Sequence, residues 1–160
     1  MIRRYLVAVD PGKNTGLAFF IDGMLARIGC ISPKNFAYNL ELFTGGVHQC
    51  AMTYVVEIPE IYRSRHSKGD PNHLIPLAKQ CGMVQGLAET NGALYHEYKP
   101  KAWKGQLPKH VMRNRIKALR ILTPHEEHVL QTTPFSKEEE HNAWDALGLG
   151  LWHLKRLKLR

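Results

Sequence analysis

Tyr5-Leu6-Val7-Ala8-Val9 is a short apolar run that leads straight into Asp10, then into the turn letters Pro11-Gly12-Lys13-Asn14. A second apolar run, Leu17-Ala18-Phe19-Phe20-Ile21, follows at once. A run with no polar face must be covered on both sides, so Tyr5–Val9 reads as a strand in the middle of a sheet. The Pro-Gly-x-Asn punctuation reads as a turn into an antiparallel neighbour. Asp10 then ends a buried strand, where its carboxylate is rigidly held and still within reach of solvent. An aspartate that merely caps the turn is the plain alternative, and this segment alone does not separate the two.

The same pattern recurs downstream. Met52–Ile58 is a strand pattern of apolar residues with a carboxylate, Glu57, near its far end and Pro59 just beyond. An unpaired charge is costly to desolvate, so a glutamate here points to a role other than packing. A salt-bridged glutamate at a sheet edge is the alternative. The last element is the clearest helix. Ser136-Lys137-Glu138-Glu139 is a capping box, acids fill the first turn, and Lys155, Arg156 and Lys158 are expected near its end. Its centre, Ala143 to Trp152, is apolar nearly all round, and Ala146, Gly148 and Gly150 are expected to let it lie close to a sheet. Asp145 is the one charge in that stretch, and a buried acid needs a cation.

Between these landmarks the pattern predicts a strand over Met24–Ile31, reached through the hairpin signal Asp22-Gly23. It also predicts a helix over Asn35–His48 cut short by Gly45-Gly46, a helix over Leu77–Glu89 stopped by Asn91-Gly92, and a strand over Ala93–Tyr98. A helix over Lys109–Leu122 follows, with Val111, Ile116, Leu119 and Leu122 inward and Arg113, Arg115, Lys117 and Arg120 outward. His125-Glu126-Glu127-His128 lacks the zinc-protease spacing and reads as surface decoration.

Composition bounds the partners. The 160 residues suit a single domain spanning 1–160, and 44% hydrophobic with 22% charged is ordinary for a soluble protein. The balance of Lys+Arg 22 against Asp+Glu 14, net +8, favours polyanionic partners, nucleic acid before acidic membrane surface. Two basic stretches carry an aromatic: Tyr62-Arg63-Ser64-Arg65-His66-Ser67-Lys68, and Lys101-Ala102-Trp103-Lys104 running on to Lys109. Their cations can neutralise phosphates and Tyr62 can stack on or wedge against a base, although a plain solvated loop has the same letters. Cys30, Cys50 and Cys81 are odd in number and widely spaced, which argues against a disulfide framework and for a reducing compartment. Neither a membrane span nor a signal peptide is expected.

Asp10, Glu57 and Asp145, brought together, would repel unless a divalent ion neutralised them. Oxygen-only ligands suit Mg²⁺ or Mn²⁺ rather than zinc. Two such ions, roughly 3.5–4 Å apart, are the usual device for in-line hydrolysis of a phosphodiester.

With Asp10-Pro11-Gly12 and Thr15-Gly16, the strand-end Glu57, and Asp145-Ala146-Leu147 on a final helix, the chain resembles the RuvC type of Holliday junction resolvase, within the RNase H-like nuclease superfamily. The resemblance extends over essentially the whole chain. It implies an α/β fold with a five-stranded mixed sheet, the first three strands antiparallel, flanked by helices. It implies a homodimer that nicks two strands of a four-way DNA junction symmetrically and leaves 5′-phosphate ends, with Mg²⁺ as cofactor and Mn²⁺ able to substitute. Such a protein is expected in the cytoplasm, of bacterial or phage origin. Pro100-x-x-Trp103-Lys104 resembles the family's basic segment. Lys104 is then expected to act in catalysis or phosphate contact, and Lys101, Lys109 and Arg113 join Tyr62, Arg63, Arg65 and Lys68 as DNA-binding candidates. The family usually has an acid or a histidine three residues before the last aspartate; here that position is Asn142, with His141 beside it. Both fall on the face of Asp145, so either can serve as a metal ligand, and a structural role for both stays open.

Rival readings are an RNase H-like nuclease with looser specificity for forked DNA, flaps or structured RNA, an actin-like phosphotransferase, and a DNA-binding module without activity. The chain is too short for the two domains of an actin-like enzyme, and retention of all three acids counts against an inactive module.

Overall fold

The two opening apolar runs pair as an antiparallel hairpin, β1 (Tyr5–Asp10) with β2 (Thr15–Ile21), in the register Val9↔Leu17 and Asp10↔Gly16. The structure is a computed structural model and describes residues 3–47, 51–60, 71–105 and 109–158. Asp22 and Gly23 both take positive φ, 52° and 81°, the geometry that a two-residue hairpin turn requires, and lead into β3 (Met24–Ile31). A register shift between Phe19 and Phe20 bends this second hairpin. β4 (Met52–Glu57) adds parallel to the other side of β1, and β5 (Leu94–Tyr98) adds parallel to β4. The sheet order is β3-β2-β1-β4-β5, which makes β1 central and β5 an edge.

Helices cover both faces. On one face lie α1 (Phe36–Thr44) and α2 (Leu74–Asn91), which follows a 3-10 turn at Pro71–His73; Val7, Val9, Tyr54 and Val56 meet Phe36, Leu40, Val84 and Ala88 there. On the other lies α6 (Lys137–His153), where Leu6, Ala8 and Val55 meet Ala146, Leu147 and Leu151. Strand side chains alternate between faces, so Asp10, in step with Leu6 and Ala8, and Glu57, in step with Val55, both belong to the α6 face. α3 (Pro100–Trp103), α4 (Lys109–Ala118) and α5 (Pro124–Thr132) complete that layer.

Small residues set how closely α6 approaches. A Cβ on Gly16 would run into the backbone carbonyl of Asn142, and one on Gly150 into the ring of Phe20. Gly148, expected to face the sheet, instead faces Trp103 and Met112 of α3 and α4.

Several expectations are corrected. α4 ends at Ala118, with Met112 and Ile116 buried and Leu119 48% exposed, so Leu119 does not point inward. Within His125–His128, His125, Glu127 and His128 are exposed as expected, but Glu126 is not surface decoration. Thr123 and Glu126 form the capping box of α5, and Glu126 is fully buried. There Glu126 accepts from both guanidinium nitrogens of Arg156 at 2.7 Å and from the backbone N–H groups of Leu25 and Thr123 at 2.8 Å. Arg156 therefore does not serve the dipole of α6. That helix stops at His153, Lys155 turns the chain at φ 60°, and Arg156 folds back to close the α5–β3 contact.

Candidate active site

Parallel pairing of β1 and β4 with Val9 opposite Val56 brings Asp10 and Glu57 side by side at the carboxyl ends of adjacent strands. Backbones so paired are about 5 Å apart. α6 crosses that end of the sheet and lowers Asp145 towards the same point. Asp10 and Asp145 are buried, at 8% and 3% exposure.

The cation that Asp145 needs is in the chain. Lys104, just after α3, places Nζ 2.9 Å from Glu57 Oε2 and 3.0 Å from Asp145 Oδ2. Trp103 Nε1 donates to Glu57 Oε2 at 2.7 Å, so the Trp103-Lys104 pair holds that carboxylate from two sides. Burial alone would lower the Lys104 pKa, but the carboxylates of Asp145, Glu57 and, next in order, Asp10 overcome it, and the ammonium is held above its usual range. Glu57 moves upward as well: burial raises its pKa, Asp145 adds to the effect, and Lys104 and Trp103 offset it only in part. Asp145 Oδ1 is buried without a hydrogen-bond partner among the described residues.

A further layer fixes the Asp10 turn. Gln80, buried on α2, accepts from Gly12 N at 3.2 Å and Thr15 Oγ1 at 2.7 Å, and donates from Nε2 to the Gly12 carbonyl at 3.0 Å. From the other face the Asn142 side chain donates to the carbonyl of Asn14. The turn after Asp10 is thus clamped between α2 and α6. Gln80 escaped the sequence reading, and Trp103 stood in it only as the aromatic of a basic segment, not as a partner of Glu57. Gln80 is a polar residue within the inward stripe of Cys81, Val84 and Ala88, and that interruption was the available signal.

The donor chemistry fits a hard divalent cation: oxygen carboxylates from Asp10, Glu57 and Asp145, one of them with an orphaned buried oxygen. As arranged, no three His, Cys, Asp or Glu side chains among the described residues are gathered tightly enough to enclose an ion. Lys104, 14% exposed on its side chain, stands between two of the acids, and an ion seated there would take over its place. Of the two residues preceding Asp145, Asn142 faces the Asp10 turn while His141 is exposed.

The DNA-binding candidates separate. Arg113 is ion-paired with Glu140 and lies over the Trp144 ring, and Lys101 is exposed on α3. Tyr62, Arg63, Arg65 and Lys68 lie outside the described residues, as does the side chain of Lys109. No helix among the described residues is long and apolar enough to cross a membrane.

No protein-family model matches the chain, and no curated protein sequence matches it. Solved structures do resemble it. RuvC of T. thermophilus, in complex with Holliday junction substrate, is 18% identical with a TM-score of 0.58, covering 94% of this chain and 92% of that one. The fowlpox virus resolvase in complex with substrate Holliday junction DNA is 16% identical with a TM-score of 0.58, covering 95% and 99%. The yeast mitochondrial Holliday junction resolvase Ydc2 is 11% identical with a TM-score of 0.56, covering 91% and 75%. A sheet of order β3-β2-β1-β4-β5 under a last helix that carries Asp145 is thus a fold this chain shares with RuvC and these other Holliday junction resolvases.

Proposed function

We propose that this chain is a divalent-metal-dependent endonuclease that resolves four-way DNA junctions by paired symmetric nicks leaving 5′-phosphate ends, acting as a homodimer in the cytoplasm. The observation that carries the reading is one ammonium, that of Lys104, shared by the strand-end Glu57 and the helix Asp145 with Asp10 within its electrostatic reach, Asp145 Oδ1 having no partner among the described residues. A fully structural cluster would have satisfied that oxygen. The shared fold of junction-bound resolvases and the net charge of +8 support DNA as the substrate.

Asp10, Glu57 and Asp145 would hold Mg²⁺, or Mn²⁺ in its place, with Asn142 beside them. A bound pair of such ions supplies electrostatic stabilisation to the attacking and leaving oxygens of the phosphodiester. The rest falls to the chain's own groups. Trp103 fixes the orientation of Glu57, Gln80 and Asn142 hold the Asp10 turn still, and the packed sheet and α6 keep the carboxylates rigid. Lys104, firmly protonated, neutralises the acids in the free protein and is placed to transfer its charge to a phosphate oxygen of the scissile strand.

Cleavage of matched four-way, Y-shaped and linear DNA in Mg²⁺ and in EDTA tests this. Symmetric nicks confined to the four-way substrate and to Mg²⁺ are expected. Equal cutting of the Y-shaped DNA would favour the looser branched-DNA nuclease, and no Mg²⁺-dependent cutting would overturn the reading. Asp10→Asn should abolish cutting while junction binding in a gel shift persists.

A further inference from the structure

The face of α6 beside Asp145 borders a cleft that the catalytic cluster does not use. It lies between α4, α5 and α6 and encloses about 440 Å³, within the range of small-ligand sites. Leu122, Leu130, Phe135 and Trp144 line it. Arg113, Lys117 and Arg120 form one wall, and Glu127 and Gln131 stand among the lining residues contributed by α5. Of the three cations only Arg113 is paired with a carboxylate among the described residues, namely Glu140. Lys117 lies 5.7 Å over the Trp144 ring. Arg120 sits just past the end of α4 at φ 48°, a left-handed position where glycine or asparagine is usual. A strained arginine at the rim of an apolar cleft is an outlier that asks for a reason.

We propose that this cleft binds one unpaired nucleotide, a base together with its phosphate. Lys117 and Arg120 meet the phosphate, the base lies against Phe135 and Leu130, and Glu127 accepts from an amine on its polar edge. A solvated basic helix would need no apolar cleft beside it, and an apolar ligand would need no cationic wall. A nucleotide uses both. The assignment rests on the junction-nuclease reading only for the source of the nucleotide, an unpaired residue in branched DNA rather than a free one.

The test is binding in EDTA, where no cutting is required, so loss of the nuclease reading leaves it intact. Two duplexes are compared, one with a single unpaired adenine and one with an abasic residue at that point, and dAMP is titrated separately. The full chain should prefer the adenine duplex by about tenfold, the size of one base stacked on an aromatic side chain. Gln131→Trp, which fills the cleft from an exposed position, should remove that preference and leave affinity for the abasic duplex unchanged. Lys117→Glu with Arg120→Glu should weaken both duplexes by about tenfold. Binding of dAMP without a duplex preference, lost in the charge-reversed variant, would keep the site and assign it to free nucleotide. Equal affinity for both duplexes with no dAMP binding would overturn the proposal, as would a preference that survives in a folded Gln131→Trp protein. Should that variant melt below the parent, the dAMP titration of the charge-reversed protein decides.

Discussion

Two buried acid–base clusters sit on the α6 side of the sheet and are built in opposite ways. Around Glu126, one carboxylate meets one guanidinium, and its oxygens are filled by Arg156 and by the backbone N–H groups of Leu25 and Thr123. Around Lys104, one ammonium serves Glu57 and Asp145, with Asp10 within electrostatic reach, and Asp145 Oδ1 accepts from no group among the described residues. The first cluster is complete and ties α5, β3 and the end of the chain together. The second sets two carboxylates on one ammonium and, among the described residues, keeps an open oxygen. Local satisfaction marks a structural ion pair, whereas several buried acids around one lysine are the arrangement on which the proposed metal and phosphate binding rests.

That contrast can be broken from either side. Arg156→Ala should have the largest effect on folding, because it leaves Glu126 buried and charged. A loss of about 3–5 kcal/mol is expected in chemical denaturation. Acid should do the same more gradually. Burial raises the Glu126 pKa, but its bonds to Arg156, Leu25 and Thr123 overcome this and bring it to about 2 from 4.5. A carboxyl depressed on folding stabilises the protein above its unfolded pKa, and that contribution disappears as pH falls from about 4.5 to about 2. The amount is roughly 3 kcal/mol. Denaturation midpoints across this window should show a loss that Glu126→Gln no longer shows.

Gln80→Leu should cost about 1–3 kcal/mol, since it strips partners from Gly12 N and the Thr15 hydroxyl in a buried turn. It should also slow DNA cutting by loosening Asp10, so activity and melting temperature should fall together. Asp145→Asn is the smallest of these in stability, within about 1 kcal/mol, because it relieves repulsion with Glu57 while removing one partner of Lys104. Its cutting should nevertheless vanish. A protein stable without activity at Asp145 and unstable at Arg156 would separate the clusters as described. A large melting loss in Asp145→Asn would merge them.

The centre of the sheet was legible in the sequence because its strands are buried on both faces: β1, β2 and β4 are nearly continuous apolar runs. Asp10, Glu57 and Asp145 were legible for the same reason, each being a charge at the end of, or within, an apolar stretch. The burial of Glu126 was not, since His125-Glu126-Glu127-His128 is locally polar and the partner that buries Glu126, Arg156, lies 30 residues away. The capping box from Thr123 to Glu126 was the missed local sign. Nor does sequence spacing reveal that Lys104 would bridge two acids, for that depends on where α3 packs beside β4 and α6. The cation that the buried aspartate demanded was foreseen, but the chain's own lysine provides it in the free protein.

Calorimetric titration of Mn²⁺ into the metal-free protein tests the central claim most directly. The wild type should bind it, and Asp145→Asn and Glu57→Gln should lose that binding while remaining folded. Should the wild type take up no Mn²⁺, or should both variants bind it as well as the wild type does, the three carboxylates are not a metal centre.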